Sequence, residues 1–315
     1  MYFFNPESIF TRGAQMPLEQ KIEILKNQLE SADAVVIGAG SGLSTAAGYV
    51  YTGGRMKKYF GDFQAKYGFC DMYSGGFYPY SSLEEFWGFW CRYIWINRYA
   101  PIPNDLYRRL FELVRGKDYF VLTTNVDHCF QRSGFDKTRL FYTQGDYGLF
   151  QSSEPRGKSA DKTYENFEII RKMVLSEGFQ IDENGNLNAP ENSKIKMKIP
   201  SSLIPICPDD GKPMTTNLRA DDFFVEDEGW RKAAKSYEDF ITRHKNARVL
   251  YLELGVGMNT PVIIKFPFWK FTRENKNAFY ACVNKGEAGC AENIVRRSVC
   301  IDLGIKETVE MLEKN

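Results

Sequence analysis

Residues 33–48, DAVVIGAGSGLSTAAG, limit the possible folds of this chain more than any other segment. The apolar run 34–37 predicts a buried parallel strand, and the glycine-rich turn after it leads into small residues suited to the start of a helix. Glycine lets the backbone turn sharply, and the free N–H groups at a helix N-terminus attract an anion. The segment therefore predicts a phosphate-binding loop. Its candidate binding residues are Gly38, Ala39, Gly40 and Ser44.

The glycine spacing of this loop departs from the fingerprint of dinucleotide-binding proteins. That fingerprint has glycine at positions one, three and six, whereas the glycines here are Gly38, Gly40 and Gly42. Leu43 stands at the sixth position. Asp62 is the nearest acidic candidate for a ribose contact, but it lies in a segment that does not predict a second strand. A strand-turn-helix that binds no ligand is an alternative, because glycine also permits close packing.

Charge and hydropathy exclude several classes of partner. The 315 residues contain 41 Lys and Arg against 40 Asp and Glu, so a net charge of +1 provides no field that attracts nucleic acid or an acidic membrane surface. No apolar run approaches the roughly 20 residues of a membrane span, and the N-terminal residues lack the basic start and long apolar centre of a signal peptide. We therefore expect a cytoplasmic protein that binds neither nucleic acid nor a membrane.

The cysteines indicate neither a disulfide framework nor a thiolate metal site. They are odd in number and include no C-x-x-C pair. The seven are Cys70, Cys91, Cys129, Cys207, Cys282, Cys290 and Cys300. Buried free thiols are the expected state.

Strands alternate with helices over most of the chain, which predicts an α/β fold with a doubly wound parallel sheet. The predicted helices span 17–31, 106–114, 229–243 and a short C-terminal segment. The predicted strands after 34–37 span 118–123, 139–143, 249–254, 279–283 and 299–303. The Rossmann part of the fold is therefore expected to comprise residues 17–49, 105–150 and 230–315.

Two insertions interrupt this alternation of strands and helices and predict a smaller module. Residues 50–104 are dense in aromatic side chains, and residues 151–229 are rich in polar, turn and proline residues, with a helix near 164–175. The aromatic tract predicts either a small core of large rings or a cover over a nucleotide. Arg55 follows two glycines soon after the phosphate loop, so it is either a phosphate or ribose contact or a solvated surface arginine.

Polar residues follow two of the predicted strands. Asn125, Asp127 and His128 come after strand 118–123, and Gln144 comes after strand 139–143. Ligands bind at the carboxyl edge of open α/β sheets, so Asn125, Asp127 and Gln144 are expected to share one crevice with the glycine loop. Asn and Asp at a strand end also occur as ordinary turn and cap residues.

Five motifs in this order resemble those of the sirtuin family, from about residue 18 to residue 312. GAGSGLSTAAG resembles the GAG-x-S NAD loop, TTNVD resembles T-Q-N-x-D, and QGDYG stands where sirtuins carry His-Gly. GVGMNTP, residues 255–261, resembles their Gly-Thr/Val-Ser-x-x-V-x-P loop, and residues 283–284 resemble the pair with the ribose-adjacent asparagine. The resemblance implies one sirtuin-type domain over residues 1–315, with NAD as cosubstrate. Gly255, Gly257, Asn259 and Asn284 thus join Gly38, Ala39, Gly40, Ser44, Arg55, Asn125, Asp127 and Gln144 as candidate NAD-binding residues.

Two segments depart from the sirtuin pattern. YVYTGGR replaces the Pro-Asp-Phe-Arg segment after the NAD loop. The zinc ribbon is degraded, because Asp stands where a second cysteine is expected after Cys207, and residues 151–153 supply no first pair. A structural zinc site needs four thiolate or imidazole ligands, and this region supplies only Cys207. We therefore predict no metal.

The third departure concerns the chemistry. A sirtuin deacylase uses its histidine to take a proton from the nicotinamide ribose, whereas Gln144 forms hydrogen bonds but cannot accept that proton at neutral pH. A positioned base contributes on the order of 10² to 10⁴ in rate, so deacylation should be suppressed and cleavage of NAD retained. The candidate catalytic residues are Asn125, Asp127 and Gln144. His128 is either a packing and hydrogen-bonding residue or a substitute base.

Glutamine at this position and a DMYSGGFYP-like insertion resemble the class M sirtuins. The resemblance implies NAD-dependent protein mono-ADP-ribosyltransfer to a lipoylated carrier similar to the glycine-cleavage H protein, reversed by a partner macrodomain hydrolase. The residues expected to contact the carrier are Phe77, Tyr78, Phe86, Trp87 and Trp90. Two alternatives remain: a lysine deacylase in which His128 or water replaces the base, and an NAD or ADP-ribose sensor without turnover.

Overall fold

The computed structural model describes residues 10–190, 195–258 and 260–314. Its strands are β1 (Phe10–Thr11), β2 (Ala34–Ala39), β3 (Asp118–Thr123), β4 (Leu140–Tyr142), β5 (Gly145–Ser152), β6 (Tyr164–Glu165), β7 (Gln180–Ile181), β8 (Leu187–Asn188), β9 (Met214–Leu218), β10 (Val249–Leu254), β11 (Phe279–Val283), β12 (Cys290–Ala291) and β13 (Ser298–Ile301). Its helices are α1 (Leu18–Ser31), α2 (Ser41–Ala46), α3 (Gly53–Tyr67), α4 (Met72–Gly76), α5 (Leu83–Ile94), α6 (Leu106–Val114), α7 (Cys129–Arg132), α8 (Phe167–Ser176), α9 (Glu228–Arg243), α10 (Lys265–Glu274) and α11 (Ile305–Glu313). A π-helix, Trp95–Tyr99, continues α5.

A parallel sheet of six strands forms the centre of the fold, in the order β13-β11-β10-β2-β3-β4. The chain builds outward from β2 in one direction and from β10 in the other, so the predicted doubly wound α/β fold is confirmed. The bounds of β3, β10 and β11 are those predicted. All residues of β2 and β10 are buried, as expected for strands covered by helices on both faces. Ligands of such sheets bind where the strand order reverses, here at the carboxyl ends of β2 and β10.

Helices cover both faces of this sheet. Because side chains alternate along a strand, Val35 and Ile37 of β2 pack with α1, α6 and α11, and Val36 packs with α9 and α10. The spacing of Ile22, Leu25 and Leu29 that predicts α1 is the spacing of its buried residues. Burial of each aliphatic side chain of this kind contributes about 1.5–3 kcal/mol to the free energy of folding. In the described ranges, no helix combines the length and the apolar character that a membrane crossing requires.

Helix α10 is absent from the sequence-based expectations, because KFPFWKFTRE mixes aromatic with charged residues and contains proline. It lies directly on β2. A Cβ atom at Gly38 would come within 2.4 Å of Ile264 and 2.5 Å of Phe268. The expected approach of the Gly38 backbone to a phosphate stays a prediction. Gly38 lies inside the strand, where its lack of a side chain lets α10 contact the sheet.

A buried ion pair also joins α10 to the sheet. Lys265 Nζ lies 2.5 Å from Oε1 of Glu253, and both side chains are fully buried. The hydroxyl of Tyr280 donates to Oε2 of Glu253 at 2.6 Å. Burial raises the pKa of Glu253, and the Lys265 ammonium opposes that shift. A carboxylate in the core keeps its charge only beside such a cation.

Large rings form the core of the small module. Helices α3, α4 and α5 pack with α8 and with an antiparallel sheet of order β6-β5-β9. Phe60, Phe63 and Trp87 are fully buried, as an aromatic core requires. Strand β5 begins inside the segment assigned to the Rossmann part, yet it pairs with β9. This strand therefore carries the chain from the main sheet into the small module.

Arg92 lies at the centre of that core, in contact with two acidic side chains. Its Nε lies 2.9 Å from Glu177 Oε2, and its Nη1 lies 2.8 Å from Asp62 Oδ1. Burial raises the pKa of Glu177 to about 7, although the charge of Arg92 acts in the opposite direction. Asp62, considered above for a ribose contact, is a residue of α3 that pairs with Arg92 instead.

Side-chain hydrogen bonds connect the segment that corresponds to the degraded zinc ribbon. Tyr164 OH donates to Asp209 at 2.6 Å and lies 3.4 Å from the Sγ atom of Cys207, which is buried. Ser159 donates to Asp210 at 2.5 Å. Among the residues that the structure describes, no group of three or more His, Cys, Asp or Glu side chains is arranged to hold a metal ion. The absence of zinc stays a prediction, and these hydrogen bonds link the segment without one.

Candidate active site

A cavity of about 280 Å³ opens at the carboxyl ends of the parallel strands, between the Rossmann part and the small module. One wall consists of loops after β2, β3 and β10, and the other of aromatic residues from α4, α5 and β5. Of the predicted site residues, those that line it are Gly40, Asn125, Gln144 and Gly257. The predicted site residues that are described but do not line the cavity are Gly38, Ala39, Ser44, Arg55, Asp127, Gly255 and Asn284. Asn259 lies outside the described residues.

Asn125 is held by the loop after β2. Its Nδ2 donates to the carbonyl oxygen of Gly40 at 2.9 Å, and its backbone N–H donates to Thr123 Oγ1 at 3.0 Å. Thr123 Oγ1 in turn donates to the carbonyl oxygen of Ala39 at 2.9 Å. Among the described residues, no donor contacts Oδ1 of Asn125. That oxygen can therefore accept a hydrogen bond from a hydroxyl group in the cavity.

A tight turn positions Gln144. Gly145 has φ +96°, and a Cβ atom there would lie 1.9 Å from the carbonyl oxygen of Asn217 on the facing strand. Only glycine fits this conformation and this space. The carbonyl oxygen of Gln144 accepts from the backbone N–H of Arg219 at 3.0 Å, and its Nε2 donates to Thr143 Oγ1 at 3.3 Å. No histidine is present among the described residues that line the cavity.

The loops after β2 and β10 touch backbone to backbone behind the cavity. A Cβ atom at Gly40 would lie 2.6 Å from the carbonyl oxygen of Gly255, and one at Gly42 would lie 2.7 Å from its Cα. Gly255 itself has φ +61° and would meet Gly42 at 2.6 Å. Asn284 supports the second loop, because its Nδ2 donates to the carbonyl oxygen of Val256 at 3.1 Å. Gly255 and Asn284 therefore shape the cavity from behind.

Asp127, which is expected to contact the ribose, is not among the residues that line the cavity. Ser44 Oγ donates to one carboxylate oxygen at 2.5 Å, and the backbone N–H of Cys129 donates to the other at 3.0 Å. Ser44 also lies 3.1 Å from the hydroxyl of buried Tyr107. Burial raises the pKa of Asp127, while the hydrogen bond from Ser44 opposes that shift. Both oxygens are used within the protein, so Asp127 fixes α2 to the loop after β3.

Arg55 points into the small module. Its Nη2 donates to the carbonyl oxygen of Ile96 at 2.9 Å and to Asn97 Oδ1 at 3.0 Å, and its guanidinium lies over the ring of Tyr49. These contacts anchor α3 to the π-helix and leave Arg55 outside the cavity wall. Neither predicted role of Arg55, a phosphate contact or a solvated surface residue, matches this placement.

Arg219 is a charged cavity residue that the sequence analysis does not predict. It is the one charged side chain among the described residues that line the cavity. Its guanidinium lies over the rings of Phe224 and Trp230 and pairs with Glu226. The arginine follows β9, whose pairing with β5 brings it beside Gln144. A strand predicted at 214–218 would have indicated this placement, but MTTNL does not show the alternation of apolar and polar residues that predicts a strand.

His128 is also outside the cavity wall. It has φ +64°, and its Nδ1 lies 2.6 Å from Oδ2 of Asp146. The carboxylate thus occupies one ring nitrogen. Because His128 does not line the cavity, its placement favours the interpretation as a hydrogen-bonding residue over a substitute base, since a base must reach the reacting hydroxyl.

The structure combines the features that NAD requires. Glycine-lined loops and the start of α2 suit a pyrophosphate, the Asn125 and Gln144 amides suit ribose hydroxyls, and Arg219 supplies a cation. The cavity contains amides and a guanidinium where general-base catalysis would need an imidazole or carboxylate.

The most informative similarities are to named ADP-ribosyltransferases. A protein ADP-ribosyltransferase of Staphylococcus aureus is 35% identical over 297 residues, which cover 94% of this chain and 88% of that protein. A probable bifunctional ADP-ribose hydrolase/ADP-ribosyltransferase of Fusarium oxysporum is 32% identical over 255 residues, covering 78% of this chain but 39% of that protein. No protein-family model matches the chain.

The fold is similar to that of solved Sir2 structures. A Sir2 complex with a p53 peptide and NAD+ superposes with a TM-score of 0.52 at 16% identity, covering 91% of this chain and 95% of that one. This likeness shows the fold, and the identity to the Staphylococcus aureus protein over nearly the whole chain shows the family. The chain therefore belongs to the family of the Staphylococcus aureus protein ADP-ribosyltransferase and has the fold of the Sir2 sirtuins.

Proposed function

We propose that this chain is an NAD-dependent protein mono-ADP-ribosyltransferase that releases nicotinamide and modifies a lipoylated carrier similar to the glycine-cleavage H protein. The observation that carries the proposal is the amide of Gln144 in a cavity whose described lining includes no histidine. When bound, NAD supplies a ribose activated by its nicotinamide leaving group. Without a base to deprotonate a ribose hydroxyl, that ribose passes to an outside acceptor.

The side chains in the cavity act by binding and orientation. The free Oδ1 of Asn125 can accept from one ribose hydroxyl, and the Gln144 amide can donate to or accept from another. Two groups that fix the ribose stabilise the charge that develops as nicotinamide departs. One such contact raises the rate on the order of 10²-fold. An acceptor that is already ionised needs no deprotonation.

The acceptor is expected to enter along the aromatic wall. Met72, Tyr73, Gly76, Phe77, Trp90, Tyr93 and Tyr147 line this side of the cavity. Tyr73 and Phe77 are 64% and 58% exposed, and their rings are 4.7 Å apart. Exposed paired rings beside a reaction cavity suit an apolar arm presented by another protein. Of the rings expected to contact the carrier, Phe77 and Trp90 reach the cavity, whereas Trp87 is buried in the core.

A reversing macrodomain hydrolase is part of the same proposal. The Fusarium oxysporum relative carries an ADP-ribose hydrolase and an ADP-ribosyltransferase in its name, which supports a functional pairing of these activities. The deacylase alternative has less support, because His128 does not line the cavity.

Incubation with labelled NAD and lipoylated H-like carrier tests the proposal, with intact mass analysis as the readout. We expect a gain of one ADP-ribosyl unit on the carrier and none on the same carrier without its lipoyl group. Asn125→Ala and Gln144→Ala should each lower the transfer rate on the order of 10²-fold. If folded wild-type protein binds NAD but modifies neither the carrier nor any protein of a cell extract, the proposal is wrong and a sensor is favoured.

A further inference from the structure

A buried carboxylate, Asp146, connects the loops that carry the two cavity amides. Asp146 is 4% exposed and accepts from Arg98 Nε at 2.6 Å, from the backbone N–H of Gly148 at 2.7 Å, and from His128 Nδ1 at 2.6 Å. Burial opposes its ionisation, but the hydrogen bond from His128 and the charge of Arg98 outweigh burial and lower the pKa of Asp146. Asp146, His128 and Arg98, here called the Asp146 cluster, therefore contain a charged carboxylate with all its contacts inside the protein.

The Asp146 cluster joins the two loops that carry Asn125 and Gln144. His128 follows Asn125 by three residues, and Asp146 follows Gln144 by two. Backbone hydrogen bonds on either side, from Tyr147 N–H to the Val126 carbonyl at 3.0 Å and from Thr143 N–H to the Thr123 carbonyl at 2.9 Å, hold the same two segments together. Thr143 Oγ1 also donates to the Thr123 carbonyl at 3.3 Å, and the His128 contact adds a hydrogen bond between two side chains.

Arg98 extends this link to the other wall of the cavity. It belongs to the π-helix that continues α5, and α5 carries the cavity residues Trp90 and Tyr93. π-helical turns occur frequently at functional sites. A Cβ atom at Gly148 would lie 2.8 Å from Nε and Nη2 of Arg98, so Gly148 leaves the space in which the guanidinium reaches Asp146. One carboxylate thus contacts both amide loops and the helix of the aromatic wall.

The backbone of His128 is consistent with a functional constraint. It is the one described residue other than glycine with positive φ, at 64°. Residues other than glycine seldom adopt this conformation, although asparagine, aspartate and histidine do so more often than the rest, and such conformations concentrate at functional sites. The turn directs the imidazole towards Asp146, and the side chain is 22% exposed.

We propose that His128 and Asp146 are positioning residues for NAD cleavage, whose hydrogen bond fixes the separation of the Asn125 and Gln144 amides around the ribose. This inference rests on the proposed function, because it assigns these residues a part in the same reaction. His128 touches no reacting atom and acts through the two loops. A displacement of one amide by about 1 Å is enough to lower a rate on the order of 10²-fold.

Two substitutions at one position separate the hydrogen bond from the backbone turn. Asparagine and glycine both tolerate positive φ, but only asparagine carries an amide N–H close to the position of Nδ1. For nicotinamide release, we expect His128→Gly to lower kcat by about 10- to 100-fold and leave the Kd for NAD within about twofold. His128→Asn should remain within about threefold of wild type in kcat.

Gly148→Ala supplies an independent variant, since its methyl group would displace Arg98 from Asp146. We expect the same loss of kcat at nearly unchanged Kd for NAD, with thermal unfolding showing that each variant is folded. Equal kcat for His128→Gly, His128→Asn and wild type would overturn the inference, as would a loss of NAD affinity as large as the loss of kcat. Wild-type protein that binds NAD but releases no nicotinamide with any acceptor would instead overturn the proposed function, and this inference with it.

Discussion

Replacement of Gly145 by alanine should disable the enzyme through the backbone, without touching a ligand-binding side chain. The new Cβ atom would lie 1.9 Å from the carbonyl oxygen of Asn217 and 3.1 Å from Cε2 of Phe224. Real Cβ atoms stay beyond 3.0 Å from such neighbours, so the two strands must separate by about 1 Å. The residue that moves with this turn is Gln144.

The cost of this substitution has two parts. Alanine at φ +96° lowers the free energy of unfolding by about 1–2 kcal/mol relative to glycine, because L residues are disfavoured in this region. The clash adds a displacement of about 1 Å at the Gln144 amide, which should lower kcat for nicotinamide release on the order of 10²-fold. Stability should therefore fall modestly and kcat steeply.

Gly211→Ala is the matched control. Gly211 also has positive φ, +72°, but a Cβ atom there meets nothing within 4 Å, so this variant isolates the backbone strain. Thermal unfolding and nicotinamide release would be measured on both variants and on wild type. If Gly145→Ala and Gly211→Ala lose similar stability and both retain wild-type kcat, the reasoning that Gln144 must be held by this turn is refuted.

Three further predictions concern stability and metal content. Lys265→Met should destabilise the protein by about 3–5 kcal/mol in denaturant unfolding, because Glu253 loses its buried cation, and Glu253→Gln in the same protein should restore most of the loss; a loss below about 1 kcal/mol would contradict this. Burial raises the pKa of Glu177 from 4.5 to about 7, so the folded protein binds this proton more tightly than the unfolded chain does. The stability from Glu177 is therefore full below pH 4.5 and lost as the pH rises to about 7, a change of about 3 kcal/mol, and unfolding at a series of pH values should show that Glu177→Gln removes this dependence. Elemental analysis should find no zinc bound, and about one zinc per chain would refute that prediction.

The sequence predicts the main sheet closely because its strands are short apolar runs between polar turns. β3, β10 and β11 have the expected bounds since burial on both faces demands apolar residues at every position. The small module is less predictable. Strand β5, GDYGLFQS, faces Asn217 at Gly145 and contributes Phe150 to the aromatic core near its other end. Its apolar residues therefore follow no single period.

The sequence predicts where the active site lies in the fold, but it does not predict which way each side chain points. Asn125 and Gln144 line the cavity as expected, but Asp127, two residues after Asn125, faces the opposite way and binds Ser44. Sequence adjacency does not determine which member of a turn faces the ligand. Arg219 and the aromatic wall come from segments distant in sequence, and only the pairing of β5 with β9 brings Arg219 to Gln144.

The back-to-back glycine loops restrict how this scaffold can be re-engineered for altered NAD analogues. Gly40 and Gly42 abut the main chain of Gly255, so a larger residue on one loop cannot be compensated by a smaller one on the other. Gly257 and Thr260 line the open side of the same pocket, and a Cβ atom at Gly257 would meet its nearest neighbour at an ordinary 3.5 Å. A mutant library that keeps the three loop glycines constant and randomises 257 and 260 should retain far more folded members than one that varies the glycines.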